Sequence, residues 1–204
     1  MKSYNGVAIV SRRPLGATGA LNWCGKDDCR HVFATLPGGI ELHSVYVPAG
    51  GPDPDPLANP KFAHKLEFLE ALADWCRGRQ YPAARRILAG DLNVAPLETD
   101  VWDRKKLLKV VRHTTVEEDA LKRLQVSGPW IDTTREIIPS TERLYTWWSY
   151  RAGDWEASDR GRHLDHIWIS PALRPTLYSA EVHRDQRGWD LASDHVPLTV
   201  TLAE

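Results

Sequence analysis

Ile87-Leu88-Ala89-Gly90-Asp91-Leu92-Asn93-Val94-Ala95-Pro96 is the stretch on which the reading of this chain turns. Ile87, Leu88 and Ala89 form a short apolar run of the kind a buried strand carries. The run leads directly into a glycine, a carboxylate and a carboxamide. Asp91 and Asn93 are two apart, so in an extended segment they point to the same side, and Gly90 lets the backbone approach its neighbours closely. A carboxylate beside a carboxamide suits a hard metal ion or a polarised water. An Asx turn that caps the next element would use the same residues without any chemistry. The remaining sequence has to decide between the two.

Three other polar clusters also sit at strand-like apolar segments, where loops project functional groups from a rigid base. In Ser193-Asp194-His195-Val196-Pro197-Leu198, the adjacent Asp194 and His195 point to opposite sides of an extended chain and each needs a partner elsewhere: a metal for Asp194, a carboxylate that fixes the tautomer for His195. In Asp159-Arg160-Gly161-Arg162-His163-Leu164-Asp165-His166-Ile167-Trp168-Ile169-Ser170, Asp165 falls within an apolar strand, where an unpaired carboxylate costs several kcal/mol. His195 is a natural partner for it, with Arg162 or His166 as the local alternatives. In Tyr145-Thr146-Trp147-Trp148-Ser149-Tyr150-Arg151, Trp147 and Trp148 face opposite ways, so one is core and the other is free to form a stacking wall for a base or sugar.

Around these clusters the pattern alternates between strands and helices. Val7-Ala8-Ile9-Val10, Ile40-Glu41-Leu42-His43-Ser44-Val45-Tyr46-Val47 and the segments 164–169 and 196–202 read as strands. Residues 52–60, rich in Pro and Asp, read as an exposed loop. Asn59 as N-cap and Pro60 at the first helical position open a helix whose apolar face is Phe62, Leu66, Leu69, Ala73 and Cys76, with Gly78 placed to end it. Thr115 with Glu118 three residues on signals a second helix, with Ala120, Leu121 and Leu124 on its apolar side. Interleaved strands and helices make the class α/β or α+β, with sheets covered by helices.

The 204 residues fit one domain (23.0 kDa), and 42% hydrophobic and 26% charged residues are ordinary for a soluble globular protein. No apolar run approaches the roughly 18–20 residues that span a bilayer, so a cytoplasmic location and no membrane partner are expected. The net charge of −1 gives no bulk attraction for nucleic acid. A DNA partner would need a local basic face, which Arg151, Arg160, Arg162 and His163, or Arg12 and Arg13, would supply. Cys24, Cys29 and Cys76 lack zinc spacing and read as reduced thiols.

Taken in order, six segments resemble those of exonuclease III and its apurinic/apyrimidinic endonuclease relatives: Tyr4-Asn5-Gly6-Val7-Ala8-Ile9, Val45-Tyr46-Val47-Pro48, Gly90-Asp91-Leu92-Asn93, Tyr145-Thr146-Trp147-Trp148, the 161–170 segment and Ser193-Asp194-His195. The resemblance implies a four-layer α/β sandwich of two packed mixed sheets flanked by helices. It also implies Mg²⁺-dependent hydrolysis of phosphodiester bonds, with Mn²⁺ as an alternative cofactor, acting as a monomer on double-stranded DNA at abasic sites and from 3′ ends. Carried over by position, Asp91 activates the attacking water and Asn93 helps hold phosphate and metal. His195, oriented by Asp165, stabilises charge at the scissile phosphate, which Tyr46 also contacts. Asp194 sits beside the metal with Asp91 and Asn93, while Trp147, Leu164 and Arg162 form the substrate side, Trp147 lining the pocket of a flipped-out abasic sugar. Related phosphatases and phosphodiesterases share the Gly-Asp-x-Asn and Ser-Asp-His elements, and the aromatic run favours DNA over those substrates. A non-catalytic remnant that binds DNA is the rival of another class.

Two departures from the family pattern set further expectations. Asp159 and His163 stand where relatives carry Asn and Arg, which predicts altered DNA contacts. The family pattern resumes in mid-fold at residue 4, so the chain reads as a fragment or a late-start reading frame. It would lack the first strands, an Asn and a metal-binding Glu, and is expected to be unstable or weakly active.

Overall fold

The structure is a computed structural model and describes residues 5–79 and 83–203. Tyr4, at the head of the expected Tyr4-Asn5-Gly6 segment, lies outside the described residues. The strands are β1 (Thr18–Gly19), β2 (His31–Leu36), β3 (Ile40–Tyr46), β4 (Arg86–Asp91), β5 (Ile131–Asp132), β6 (Trp147–Trp148), β7 (Gly161–Arg162), β8 (Asp165–Ile169), β9 (Leu177–Val182) and β10 (Leu198–Leu202). The helices are α1 (Pro60–Arg77), α2 (Arg104–Leu107), α3 (Thr115–Ser127), α4 (Thr133–Ile137) and α5 (Trp155–Ser158). Six strands form one mixed sheet in the order β1-β2-β3-β4-β8-β5; β9 pairs with β10 and β6 with β7 in two short antiparallel ladders. The expected α/β sandwich is therefore present, with its second sheet represented by these ladders.

The parallel pairing of β3 with β4 is the joint that matters for function, because a parallel pair needs a crossover and α1 provides it. Asn59 accepts the Lys61 N–H at 3.0 Å and its own amide donates to the Gly50 carbonyl at 2.8 Å, so one side chain caps the helix and pins the 52–60 loop. Phe62, Phe68, Leu69, Leu72, Ala73 and Cys76 bury one face of α1. Much of that face packs with Ala120, Leu121 and Leu124 of α3 and with Val45, Leu88 and Trp168 of the sheet in one core. Gly90 lies in that sheet at φ +141°, and a Cβ there would overlap the Val45 carbonyl oxygen. No other residue allows β3 and β4 to pair so closely just before Asp91.

Two expectations need correction. Residues 7–10 form no strand: Val10 is exposed, while Ala8 and Ile9 line a cavity with Leu15 and Phe33 over β1 and β2. Val7 and Ile9 are half-buried there and Ala8 is exposed, without strand pairing. The α3 cap sits one residue earlier than expected. Thr114 is the N-cap and Glu117 the reciprocal acid, its carboxylate accepting the Thr114 N–H at 3.1 Å and hydroxyl at 2.7 Å. The frame is fixed by what Glu117 meets on its inner side, the ammonium of Lys65, with which it forms an ion pair at zero exposure of both side chains. Lys65 itself stands in the apolar stripe of α1, where sequence periodicity alone suggests only core. Finally, the three cysteines are free, as expected, with only Cys76 buried.

Removing one partner of a fully buried ion pair strands the other charge without water. Lys65→Met is expected to lower stability by about 3–5 kcal/mol in denaturant unfolding, and a wild-type midpoint would show that the pair carries no such constraint.

Candidate active site

β3, β4 and β8 place three functional side chains in one row. In the sheet register Tyr46 stands opposite Asp91, and Asp91 stands opposite Asp165. Laterally paired residues of neighbouring strands project from the same face. Tyr46, Asp91 and Asp165 consequently line one cleft of about 330 Å³, together with Gly6, Val7 and His195. Residues that are far apart in sequence are thus brought within one site by register alone.

His195 arrives from the segment between β9 and β10, which docks edgewise on β6. Trp147 and His195 form a bridge, the Trp148 N–H donates to the Asp194 carbonyl at 2.9 Å, and the Val196 N–H donates to the Thr146 carbonyl at 2.8 Å. His195 Nδ1 lies 2.8 Å from Asp165 Oδ2. Facing a carboxylate, Nδ1 carries the proton and donates it, which leaves Nε2 turned to the cleft, 3.9 Å from Asp91 Oδ2. Asp165 therefore finds its partner in His195, while His166 turns away to the Val94 carbonyl and Asp132. Asp165 begins β8 instead of lying inside it, and its backbone N–H, with that of Leu164, donates to the Thr146 hydroxyl at 3.1 and 3.0 Å. Thr146 is a support that no sequence signal singled out beyond its place in the aromatic run.

Asp91 and Asn93 form the Asx turn, one of the two readings of their motif. Asn93 leaves the strand at φ +53°, and its N–H donates to Asp91 Oδ1 at 2.8 Å, an Asx turn. Its amide nitrogen donates to Asp91 Oδ2 at 2.9 Å and to the Val47 carbonyl at 3.0 Å. The expectation that the two point side by side from an extended segment is corrected: a left-handed turn folds Asn93 under Asp91, where it is buried and orients the carboxylate. Burial, and next the charge of Asp165, push the Asp91 carboxyl up to about 6, with His195 and the Asn93 N–H acting in the opposite direction. Burial works against protonation of His195, yet its hydrogen bond to Asp165, followed by the charges of Asp165, Asp91 and Asp194, raises its pKa. The cleft holds excess negative charge over what its one imidazole offsets.

Asp194 stands apart from this cleft. Alternation sends it to the other side of the chain from His195, where Oδ2 accepts the Trp147 indole N–H at 2.9 Å. Trp148 is buried and Trp147 half-buried, the division of labour expected of the pair. Trp147, Arg162, Arg112 and Arg151 line a second cavity of about 520 Å³. Leu164 is a correction: it is fully buried in a cluster with Ala95, Val101 and Leu107 against which Trp147 packs, so it backs the indole and does not face a substrate. His163 is likewise buried, with Nδ1 3.1 Å from Asp100, and makes no basic surface. Of the expected basic face, Arg151 and Arg160 are exposed and Arg162 is turned inward to the Val111 carbonyl. Asp159 accepts from the Trp148 indole and from Arg184, both at 3.1 Å.

Among the described residues no group of three or more His, Cys, Asp or Glu side chains is arranged to hold a metal ion. The unbalanced carboxylate row still fits a hard cation of the kind that binds through one or two carboxylates and completes its shell with water and phosphate oxygens.

The geometry has counterparts among known proteins. The pattern of the Endonuclease/Exonuclease/phosphatase family matches residues 2–195. An exodeoxyribonuclease of Bacillus subtilis is 28% identical over 206 residues, covering 98% of this chain and 75% of that protein. The structure of an AP endonuclease from Archaeoglobus fulgidus superposes with a TM-score of 0.84 at 27% identity, over 93% of this chain and 71% of that one. A 3′ phosphatase from Neisseria bound to product DNA hairpin gives 0.84 at 26% identity, over 95% and 73%. With the match running through both the Gly90-Asp91-Leu92-Asn93 turn and His195, the chain belongs to the endonuclease/exonuclease/phosphatase family.

Proposed function

We propose that this protein is a DNA-repair nuclease that hydrolyses phosphodiester bonds in duplex DNA, at abasic sites and from 3′ ends. The observation that carries the reading is the Tyr46–Asp91–Asp165 row closed by His195: a base, an oriented imidazole and a phenol line one cleft of about 330 Å³, with room for a phosphate group. The resemblance to an exodeoxyribonuclease and an AP endonuclease supports DNA as the substrate, and the half-buried Trp147 beside the cleft supports recognition of an extruded sugar.

In this reading a water poised over the phosphate gives its proton to Asp91, whose raised pKa makes it a better base than a surface carboxylate. The water oxygen bonds to phosphorus as the bond to the leaving sugar oxygen breaks. His195, its Nδ1 tied to Asp165, aims Nε2 at the same space, and its raised pKa favours the imidazolium, which offsets charge building on the phosphate. Tyr46 contacts a phosphate oxygen. Mg²⁺, or Mn²⁺ in its place, would be held by the carboxylate row and substrate oxygens, and would supply further charge compensation when bound. Asn93 positions Asp91, and Asp194 fixes the Trp147 indole.

Incision of an abasic-site duplex in Mg²⁺ is the expected activity, with EDTA abolishing it and His195→Ala lowering the rate at least about a hundredfold. A soluble phosphodiester cleaved faster than the duplex would favour the phosphatase and phosphodiesterase branch; an unchanged rate in His195→Ala would show the imidazole assignment to be wrong. A second expectation needs no activity. Asp165→Asn replaces the charged acceptor that raises the His195 pKa with a neutral one, so in EDTA the imidazole should titrate at lower pH by NMR, and an unmoved titration would mean Asp165 does not orient it.

A further inference from the structure

Arg112 has the backbone of a residue held against its preference. Its φ of +87° is uncommon outside glycine and costly for a long side chain. Three contacts impose it. The Arg112 N–H donates to both Glu117 oxygens, each at 2.9 Å, and the Arg112 carbonyl accepts the Ala95 N–H at 2.8 Å. Glu117 is in turn neutralised by Lys65, which also donates to the Asn93 carbonyl at 2.7 Å. The buried ion pair thus holds the turn under Asp91 with one hand and the strained Arg112 with the other. The result of that strain is a guanidinium 5.1 Å from the centre of the Trp147 ring.

Arg162 stands beside it, 5.6 Å from the same ring, and Arg151 lines the same cavity of about 520 Å³. Among the described residues none of the three guanidiniums is given a carboxylate partner. Glu117 is committed to Lys65, and Asp194 takes the indole N–H at the ring's edge. Arg162 has Nη1 on the Val111 carbonyl and a buried Nε with no acceptor. Burial, then the charge of Arg112, holds the Arg162 pKa down to about 10, with the charge of Glu117 acting in the opposite direction. Of the other arginines near aromatic rings, Arg184 has Asp159 and Arg79 has Glu41, while Arg160 beside Trp102 and Arg187 beside Trp155 have no such acid among the described residues.

We propose that Arg112, Arg151 and Arg162 form a second phosphate subsite beside Trp147, which takes a DNA phosphate flanking the one cut. The inference rests on the nuclease reading for its ligand. Its location follows from alternation: His195 faces the cleft, and Asp194, the residue before it, faces Trp147. The two cavities thus lie on the two sides of one short segment, where successive phosphates of a strand can occupy both. A guanidinium cluster is suited to phosphate, binding it bidentately. Arg112 is a binding residue in this account, and Lys65 and Glu117 are positioning residues.

The test is binding, measured by fluorescence anisotropy of a labelled abasic duplex in EDTA over a range of KCl. Arg112→Gln and Arg151→Gln should each weaken binding about tenfold and reduce the salt slope by about one. Arg174→Gln, which removes a surface cation paired with Glu136, should leave both unchanged. Thermal melts establish that the variants fold. Unchanged affinity and slope in both variants, equal losses in Arg174→Gln, or no measurable duplex binding by the wild-type protein would each overturn the subsite. Binding losses in a protein that cleaves no DNA would instead keep the subsite and sink the nuclease reading.

Discussion

The buried pairing of Lys65 with Glu117 is the interaction on which the rest of this structure leans. A lysine in the apolar stripe of α1 is tolerable only with a carboxylate and a carbonyl around its ammonium, and burial still holds it below its usual range, to about 8. Glu117 satisfies it and also takes three other donors, the N–H groups of Arg112 and Thr114 and the Thr114 hydroxyl. A single desolvated pair therefore sets the frame of α3, the approach of α1 to it, and the loop that presents Arg112. Through Lys65 it also reaches the Asn93 carbonyl, directly beneath the carboxylate of Asp91. Core packing and site geometry are one constraint here, not two.

Above that base, the site is a problem in charge. β-sheet register puts Asp91 next to Asp165, and their mutual repulsion with burial would drive one of them to take a proton. The imidazole of His195, gripped by Asp165, offsets part of it. What is left over is the demand for a cation and the capacity to accept a proton from water, which are the two needs of phosphodiester hydrolysis. The arrangement is economical because the same negative row that raises the basicity of Asp91 also favours the charged form of His195.

The fold was legible where the signal is local. Asn59, Pro60 and Gly78 bound α1 as read, and β3, β4 and β8 fall on their apolar runs, because caps and alternation need no tertiary information. The pairing of His195 with Asp165 was also accessible, since a carboxylate in a strand and an imidazole beside an acid each needed a partner. The failures share a cause. Whether Leu164 and His163 face a groove or the interior depends on α2 and on Asp100, which the segment itself does not reveal. Thr115 and Glu118 form as good a capping box on paper as Thr114 and Glu117; only the position of Lys65, 52 residues away, selects between them. Arg112 left no mark in the sequence at all, because its strain is imposed by contacts.

The central claim is that Asp165 acts through His195 and that both serve the cleft containing Asp91. A double-mutant cycle on the single-turnover incision rate tests it most directly, comparing Asp165→Asn, His195→Ala and the pair. The account predicts strong non-additivity, with Asp165→Asn costing little once the imidazole is gone. Losses that multiply, leaving Asp165→Asn as harmful in the His195→Ala background as in the wild type, would contradict it.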